Sequence, residues 1–327
     1  MPERLIAFGL DWHLTGSRAF DALLVEPLAP AARIDLRSWD GDLLPEPVPI
    51  GRPTIFCMLP PPEDAMRTPG ARIVWIPMWD HARIYSQEWW NRLSPDLRIV
   101  AFSGPVQRRA EAAGLQTLDL RYFMDPSQLP RAAWETGRVA FYWNRTGMLA
   151  PAAVQRLCGA LSVSKLIFRD QLDPRIPRQM YYTLPPRLGT TEVVSIDPRD
   201  RQDHLEATSA ANIVIAPRTS EGVGLTFLEG MARGCCVLGY DAPTMNEYIR
   251  DGRNGLLFTG GRSKFHPAAL RRLARRSRHP VGLDQPWRRF SRADHAALGD
   301  QARADHVAGH ARWLESLPAY CRFVLDW

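Results

Sequence analysis

The chain has few lysines, few cysteines and no long apolar runs. Only Lys165 and Lys264 are lysines among its 41 cationic residues, so arginine carries the net charge of +6. Arginine is the cation suited to planar, bidentate recognition of phosphate and carboxylate. A codon preference across the whole genome gives the same composition. A positive balance fits an anionic ligand and an anionic membrane surface. The five cysteines (Cys57, Cys158, Cys235, Cys236, Cys321) lack metal-ligand spacing. The adjacent pair Cys235-Cys236 lies in an apolar run and reads as two small buried side chains. No stretch approaches the ~18–20 apolar residues that span a bilayer. No nucleic-acid-binding motif, internal repeat or low-complexity segment is present, so nucleic acid is not an expected partner. Met1-Pro2-Glu3-Arg4 runs straight into a strand, which reads as no signal peptide and predicts a cytoplasmic protein.

Strands and helices alternate along what is there. Arg4–Leu10, Arg33–Leu36, Thr54–Leu59, Ala71–Pro77, Leu97–Phe102 and Gln116–Leu120 read as strands, with helices at Phe20–Leu28, Ser86–Leu93 and Val106–Ala113. Met124–Gly137 changes character and reads as a linker. A second series then begins with strands Arg138–Trp143, Lys165–Arg169, Glu192–Ile196 and Asn212–Ala216, and helices Pro151–Leu161 and Arg201–Ala210. This pattern predicts an α/β chain of two doubly wound domains. Ala268–Arg278 is a basic helix candidate, and Asp294–Leu317 a longer one. His306 and His310 have helical spacing but lack the glutamate of a His-Glu-x-x-His zinc site. Asp40-Gly41-Asp42 lies before a proline-rich stretch and reads as a turn; no metal is expected.

The densest signal is Glu221–Phe258, which follows the apolar run Asn212–Ala216. Thr219 or Ser220 is a candidate N-cap. Leu225, Leu228, Met231 and Ala232 share one helical face, and Gly234 is a natural stop. If the helix starts at the cap, Glu221 and Glu229 stand eight positions apart, about 12 Å along the axis on nearly one azimuth. Gly222 and Gly224 then leave backbone N–H groups open at the first turn, where the helix favours an anion. A diphosphate there, with a carboxylate for each of two sets of hydroxyls, describes a nucleotide-sugar site. The other reading is a generic βαβ unit with solvated glutamates. The glutamates are too far apart for a retaining glycosidase pair, which needs about 5–5.5 Å.

Glu221-Gly222-Val223-Gly224-Leu225-Thr226-Phe227-Leu228-Glu229, followed by Met231-Ala232-Arg233-Gly234, resembles the E-x7-E signature of retaining GT-B glycosyltransferases of the GT4-like group. Asn246–Phe258 is similar to the segment that follows in that family; the likeness covers about 45 residues. The resemblance implies two Rossmann-like domains facing across a cleft. They would be an acceptor domain at 1–125, a linker at 126–137, a nucleotide-sugar domain at 138–285 and a helical segment at 286–327 packing back toward the first domain. It implies metal-independent, retaining transfer from a nucleotide-diphospho-sugar to a hydroxyl acceptor, whether glycan, lipid-linked sugar or small molecule, without a cofactor. The leaving phosphate would take the acceptor's proton on the front face.

By the same resemblance Glu221 faces the transferred sugar and Glu229 accepts from the ribose hydroxyls. Arg145, after the first strand of the second domain, neutralises the leaving diphosphate. Backbone groups of Gly222, Val223, Gly224, Leu225 and Thr226 help, with Asn144 and Arg218 on the donor side. The family's lysine about five residues after the arginine is missing from Thr146-Gly147-Met148-Leu149-Ala150; Arg218 or Arg169 is a candidate substitute. His81 matches a histidine near the sugar, and His13, Thr15 and Gly16 lie on the acceptor side. The missing lysine motivates an alternative: a non-catalytic GT-B protein that binds a sugar nucleotide or serves as an assembly subunit. Trp75, Trp79, Trp89 and Trp90 cluster in the first domain. Trp89 and Trp90 cannot face the same way on a helix, which leaves one for an acceptor or for peripheral contact with the inner face of a membrane.

Overall fold

A computed structural model describes residues 3–16, 20–44, 46–135, 137–145, 149–170, 177–178, 181–198, 201–258 and 293–327. The basic helix candidate Ala268–Arg278, the Thr146-Gly147-Met148 stretch and the 285/286 boundary lie outside these residues. The chain groups into two compact units. The first is Met1–Met124 with Ser220–Val223 and Gly309–Trp327; the second is Asp125–Thr219 with Gly224–Ala308.

The first unit is built on a parallel sheet of β1 (Glu3–Gly9), β2 (Ala32–Ser38), β3 (Pro53–Cys57), β4 (Arg72–Ile76), β5 (Arg98–Ala101) and β6 (Gln116–Asp119), in the order β2-β1-β3-β4-β5-β6. The topological switch falls between β1 and β3, and open sheets bind ligands at the carboxyl ends of strands there. β3 and β4 are buried almost throughout, as expected of central strands covered on both faces. Phe8, Trp39, Phe56, Trp75 and Trp90 fill the core on one side.

Two expectations are corrected here. The Gln87–Trp90 helix is a single turn, and both of its tryptophans reach Trp75. Trp90 stacks on Trp75 at 5.1 Å, and Trp89 meets it edge-on at 6.0 Å while stacking on Tyr85 at 4.0 Å. Trp90 is therefore buried, and Trp89 is half-buried with its ring held in an aromatic cluster. The C-terminal helix, His295–Leu325, is also longer than the sequence pattern suggests: one element carries both the histidine stretch and Trp313. Residues 295–308 belong to the second unit. Gly309 onward belongs to the first, where Trp313 packs on Tyr122 and the Tyr320 hydroxyl donates to the Leu23 carbonyl at 3.0 Å.

In the second unit the strands are β7 (Val139–Trp143), β8 (Lys165–Arg169), β9 (Arg187–Leu188), β10 (Thr191–Ile196), β11 (Ile213–Ala216), β12 (Cys236–Tyr240) and β13 (Leu256–Phe258). Their order is β13-β12-β11-β7-β8-β10-β9, and only the β9–β10 pair is antiparallel. Counted from β7, the six parallel strands run 3-2-1-4-5-6, the dinucleotide-fold order, with the switch between β7 and β11. Asn212 ties the incoming chain to this sheet. Its Nδ2 donates to the carbonyls of Ala133 and Gly137 at 2.8 and 2.6 Å, and its Oδ1 accepts from Val139 N at 3.1 Å.

The helix that follows β11 begins at Leu225, not at Thr219 or Ser220, and runs to Arg233. Gly224 takes a left-handed conformation at φ +81°, and the Phe227 ring fills the place a Cβ would occupy. The chain turns there, and among the described residues no side chain caps the helix. Glu221 consequently stays in the loop, and the two glutamates do not share a helical face. Gly234, at φ +81°, ends the helix as the sequence predicts.

Candidate donor site at the second switch point

Strand ends supply the cations. Trp143 and Arg169 close β7 and β8 and are paired in register, so their side chains leave the same face of the sheet. Arg145 lies two residues beyond Trp143, and strand alternation returns it to that face. The Arg169 guanidinium carbon sits 4.1 Å from the Trp143 ring centroid, and that of Arg145 sits 4.8 Å from it. Two guanidinium groups thus gather on one indole, whose negative face attracts each of them. Asn144 between them turns inward and is buried. Its Nδ2 donates to Asp170 Oδ1 at 2.6 Å and to the Tyr182 carbonyl at 3.1 Å, and Arg178 pairs with the same Asp170 oxygen at 2.6 Å. Asn144 braces the two strand ends.

Helices supply the acid. Gly230 lets the Leu225–Arg233 helix lie close on the sheet: a Cβ there would come within 2.8 Å of Val214 Cγ2 on β11. This contact fixes the neighbouring Glu229. Its Oε1 lies 3.3 Å from His204 Nε2, and both side chains are only about one-tenth exposed (11% and 12%). His204 comes from the Arg201–Thr208 helix, packs edge-on against Phe141, and brings its Nδ1 to 3.2 Å from Arg169 NH1. Burial pushes the Glu229 pKa up, but the hydrogen bond from the His204 N–H and the charges of Arg201 and Arg233 outweigh it, and the net shift is downward. Glu229 is held as an ionised acceptor. Arg169 is lowered to about 10, first by burial and further by Arg145, while Glu229 and Asp197 hold it up. Arg233, almost fully buried, anchors the far end of the helix by donating to the carbonyls of Ser209 and Ala211 at 2.7 and 3.2 Å.

Other expected residues lie elsewhere. Arg218 lies two residues beyond β11 and is half-buried. Leu225 and Thr226 form the first helical turn and are half-buried, whereas Gly222 and Val223 precede the helix and are buried. Glu221 to Val223 group with the first unit, where a Cβ on Gly222 would come within 2.8 Å of Met78 Cβ. His81, exposed on the short Trp79–Ala82 helix, bonds the Met78 carbonyl through its backbone N–H at 3.0 Å. Gly222 and His81 thus both lie against Met78, just beyond β4. His13, Thr15 and Gly16 lie in a π-helical turn, Trp12–Gly16, after β1 at the first switch point. His13 Nε2 accepts from Trp12 Nε1 at 3.1 Å. Among the described residues no group of three or more His, Cys, Asp or Glu could hold a metal, and no helix is long and apolar enough to cross a membrane.

Residues 190–279 match the family model described as Glycosyl transferases group 1. A 94-residue stretch, 28% of this chain, is 30% identical to the D-inositol 3-phosphate glycosyltransferase of Streptomyces bingchenggensis and spans about a fifth (21%) of that relative. Among solved structures, the sucrose-phosphate synthase of Thermosynechococcus elongatus superposes with a TM-score of 0.63 at 13% identity, over 97% of this chain and 98% of that one. HepE of Anabaena, in complex with UDP and glucose, gives 0.56 at 14% identity, over 97% and 100%. The fold is GT-B.

Within this GT-B chain the matched stretch runs from β10 through Glu229 to beyond β13. It includes His204 but neither Arg145 nor Arg169, which the sheet brings to it from β7 and β8. Sequence reasoning missed Trp143 and His204. Trp143 carried a usable signal, an aromatic two residues before Arg145 at a strand end. His204 carried none, because its partners come from a different strand and a different helix.

Proposed function

We propose that the protein is a retaining glycosyltransferase that moves a sugar from a nucleoside-diphospho-sugar to a hydroxyl acceptor without a metal. The observation that carries this reading is the meeting of Arg145, Arg169 and an ionised, buried Glu229 at the β7/β11 switch point. The family match and the GT-B neighbours support glycosyl transfer. Breaking the anomeric C–O bond puts negative charge on the diphosphate and positive charge on the sugar. Arg145 and the first-turn amides of the Leu225–Arg233 helix would take the former. Glu229 would accept from the ribose hydroxyls. Glu221 and His81 would face the transferred sugar, with the His13–Gly16 turn on the acceptor side. The leaving phosphate would take the acceptor's proton. Amides and arginines would replace a metal as the charge sink.

The test is nucleoside diphosphate release from a panel of nucleotide sugars, with and without hydroxyl acceptors. Arg145→Ala should lower kcat by about 10²–10³, and Glu229→Ala should chiefly raise KM. EDTA should leave the rate unchanged. Release that persists undiminished in both variants overturns the reading. The Thr146–Ala150 stretch holds no cation, which favours a second reading, a sugar-nucleotide-binding or assembly subunit. Tight donor binding with no turnover against any acceptor would select it. A place at the inner face of the membrane belongs to the first reading when the acceptor is lipid-linked, and equal behaviour with and without anionic vesicles would remove it.

A further inference from the structure

Arg169 has a more specific place than its neighbours. A guanidinium only donates, so His204 Nδ1, 3.2 Å from Arg169 NH1, is the acceptor. The imidazole proton therefore sits on Nε2 and points at Glu229 Oε1, 3.3 Å away. One ring thus reads a cation on one side and a carboxylate on the other. The ring packs edge-on against Phe141, at 5.4 Å between ring centroids. Arg169 is gripped a second time by the Trp143 indole, which also carries Arg145. Two like charges drawn to one ring repel each other, and Arg145 does lower the Arg169 pKa. An anion with more than one charge, lodged at these strand ends, would offset that repulsion.

We propose that Arg169 is a second diphosphate-binding residue of the donor site, and that His204 is the positioning residue that holds it in register with Glu229. The proposal rests on the nucleoside-diphospho-sugar reading above. The diphosphate would lie against Arg145 and Arg169 and the ribose against Glu229, so one imidazole would set the span between the two ends of the donor.

Calorimetry on the full chain tests this. Uridine, guanosine, adenosine and thymidine diphosphates are titrated first, to find the one that binds; the matching nucleoside is the control. Arg169→Met should raise the diphosphate Kd about tenfold or more and leave the nucleoside Kd within about twofold. Arg169→Lys, which keeps the charge but loses the planar fork, should fall between. His204→Leu fills the same space without hydrogen bonds and should weaken diphosphate binding. His204→Gln, whose amide can accept from Arg169 and donate to Glu229, should restore part of it. Wild-type diphosphate affinity in Arg169→Met and Arg169→Lys, equal loss of diphosphate and nucleoside, or an unaltered His204→Leu overturns the proposal alone. A wild-type protein that binds none of the four diphosphates overturns the donor reading and this one together.

Discussion

Glu229 is a carboxylate whose burial opposes ionisation, and the fold keeps it charged with neighbours. Its folded pKa lies below the unfolded value because His204, Arg201 and Arg233 favour the anion more than burial opposes it. The sign follows: the stabilisation is present above the unfolded carboxylate value of about 4.3 and is lost as pH falls through the folded value. Urea midpoints measured from pH 7 down to pH 3 should drop more steeply for the wild type than for Glu229→Gln. Parallel curves would mean that His204 does not hold an ionised Glu229. The buried thiols respond in the opposite sense: burial pushes Cys235 up to about 12, so it stays protonated and acts as apolar filling.

At the scale of elements, the second unit is joined by close backbone approaches. The C-terminal helix crosses the Gly234 turn at Gly299, where an added Cβ would overlap the Gly234 carbonyl. Backbone cannot swing aside as a side chain can, so Gly299→Ala should cost about 3 kcal/mol or more, read as a fall in Tm. Gly230→Ala meets Val214 and Val237 side chains instead. It should cost about 1–3 kcal/mol and also raise the donor KM, because it lifts the helix that presents Glu229. A nearby latch acts through hydrogen bonds. Buried Asn254 accepts from Arg250 N at 2.6 Å and donates to the Tyr248 carbonyl at 3.1 Å and to Asp305 Oδ2 at 2.9 Å. Asn254→Ala should destabilise by about 1–3 kcal/mol through the groups it leaves unsatisfied. A loss no greater than that of a surface substitution would show the loop held by packing instead.

For the whole molecule the distinctive feature is a helix that serves two cores. Trp313, Tyr320 and Val324 are buried in the first unit, although their helix starts in the second. Burying each is worth about 1.5–3 kcal/mol, so deleting residues 309–327 removes several kcal/mol from a unit whose sheet ends at Asp119. The truncated chain should bind a hydrophobic dye and lose near-ultraviolet circular dichroism. Retention of a native spectrum would refute the role of that segment. Ligand should act on the folded chain as a whole: a nucleoside diphosphate at about 100 times its Kd should stabilise the site-bearing fold by about 2.7 kcal/mol, seen as a rise in Tm that Arg145→Ala abolishes.

The local pattern of residues determined much of this. Apolar runs such as Ile213–Ala216 and Val139–Trp143 announce strands because a doubly covered sheet needs them apolar on both faces, and β11 is buried throughout. Gly234 announces a helix end because few other residues take its left-handed conformation. The motif around Glu229, and Arg145 at a strand end, were legible for the same reason: their signals are short in sequence. Tertiary structure alone decided the rest. Phe227 packs where a Gly224 Cβ would lie, which moves the helix start past Glu221. Sheet order brings β7 and β8 side by side, so that Trp143 can collect Arg145 and Arg169. His204 meets Glu229 only once two helices pack on one sheet. Periodicity reports which face of an element is apolar; it carries no information about which distant polar group that element will meet.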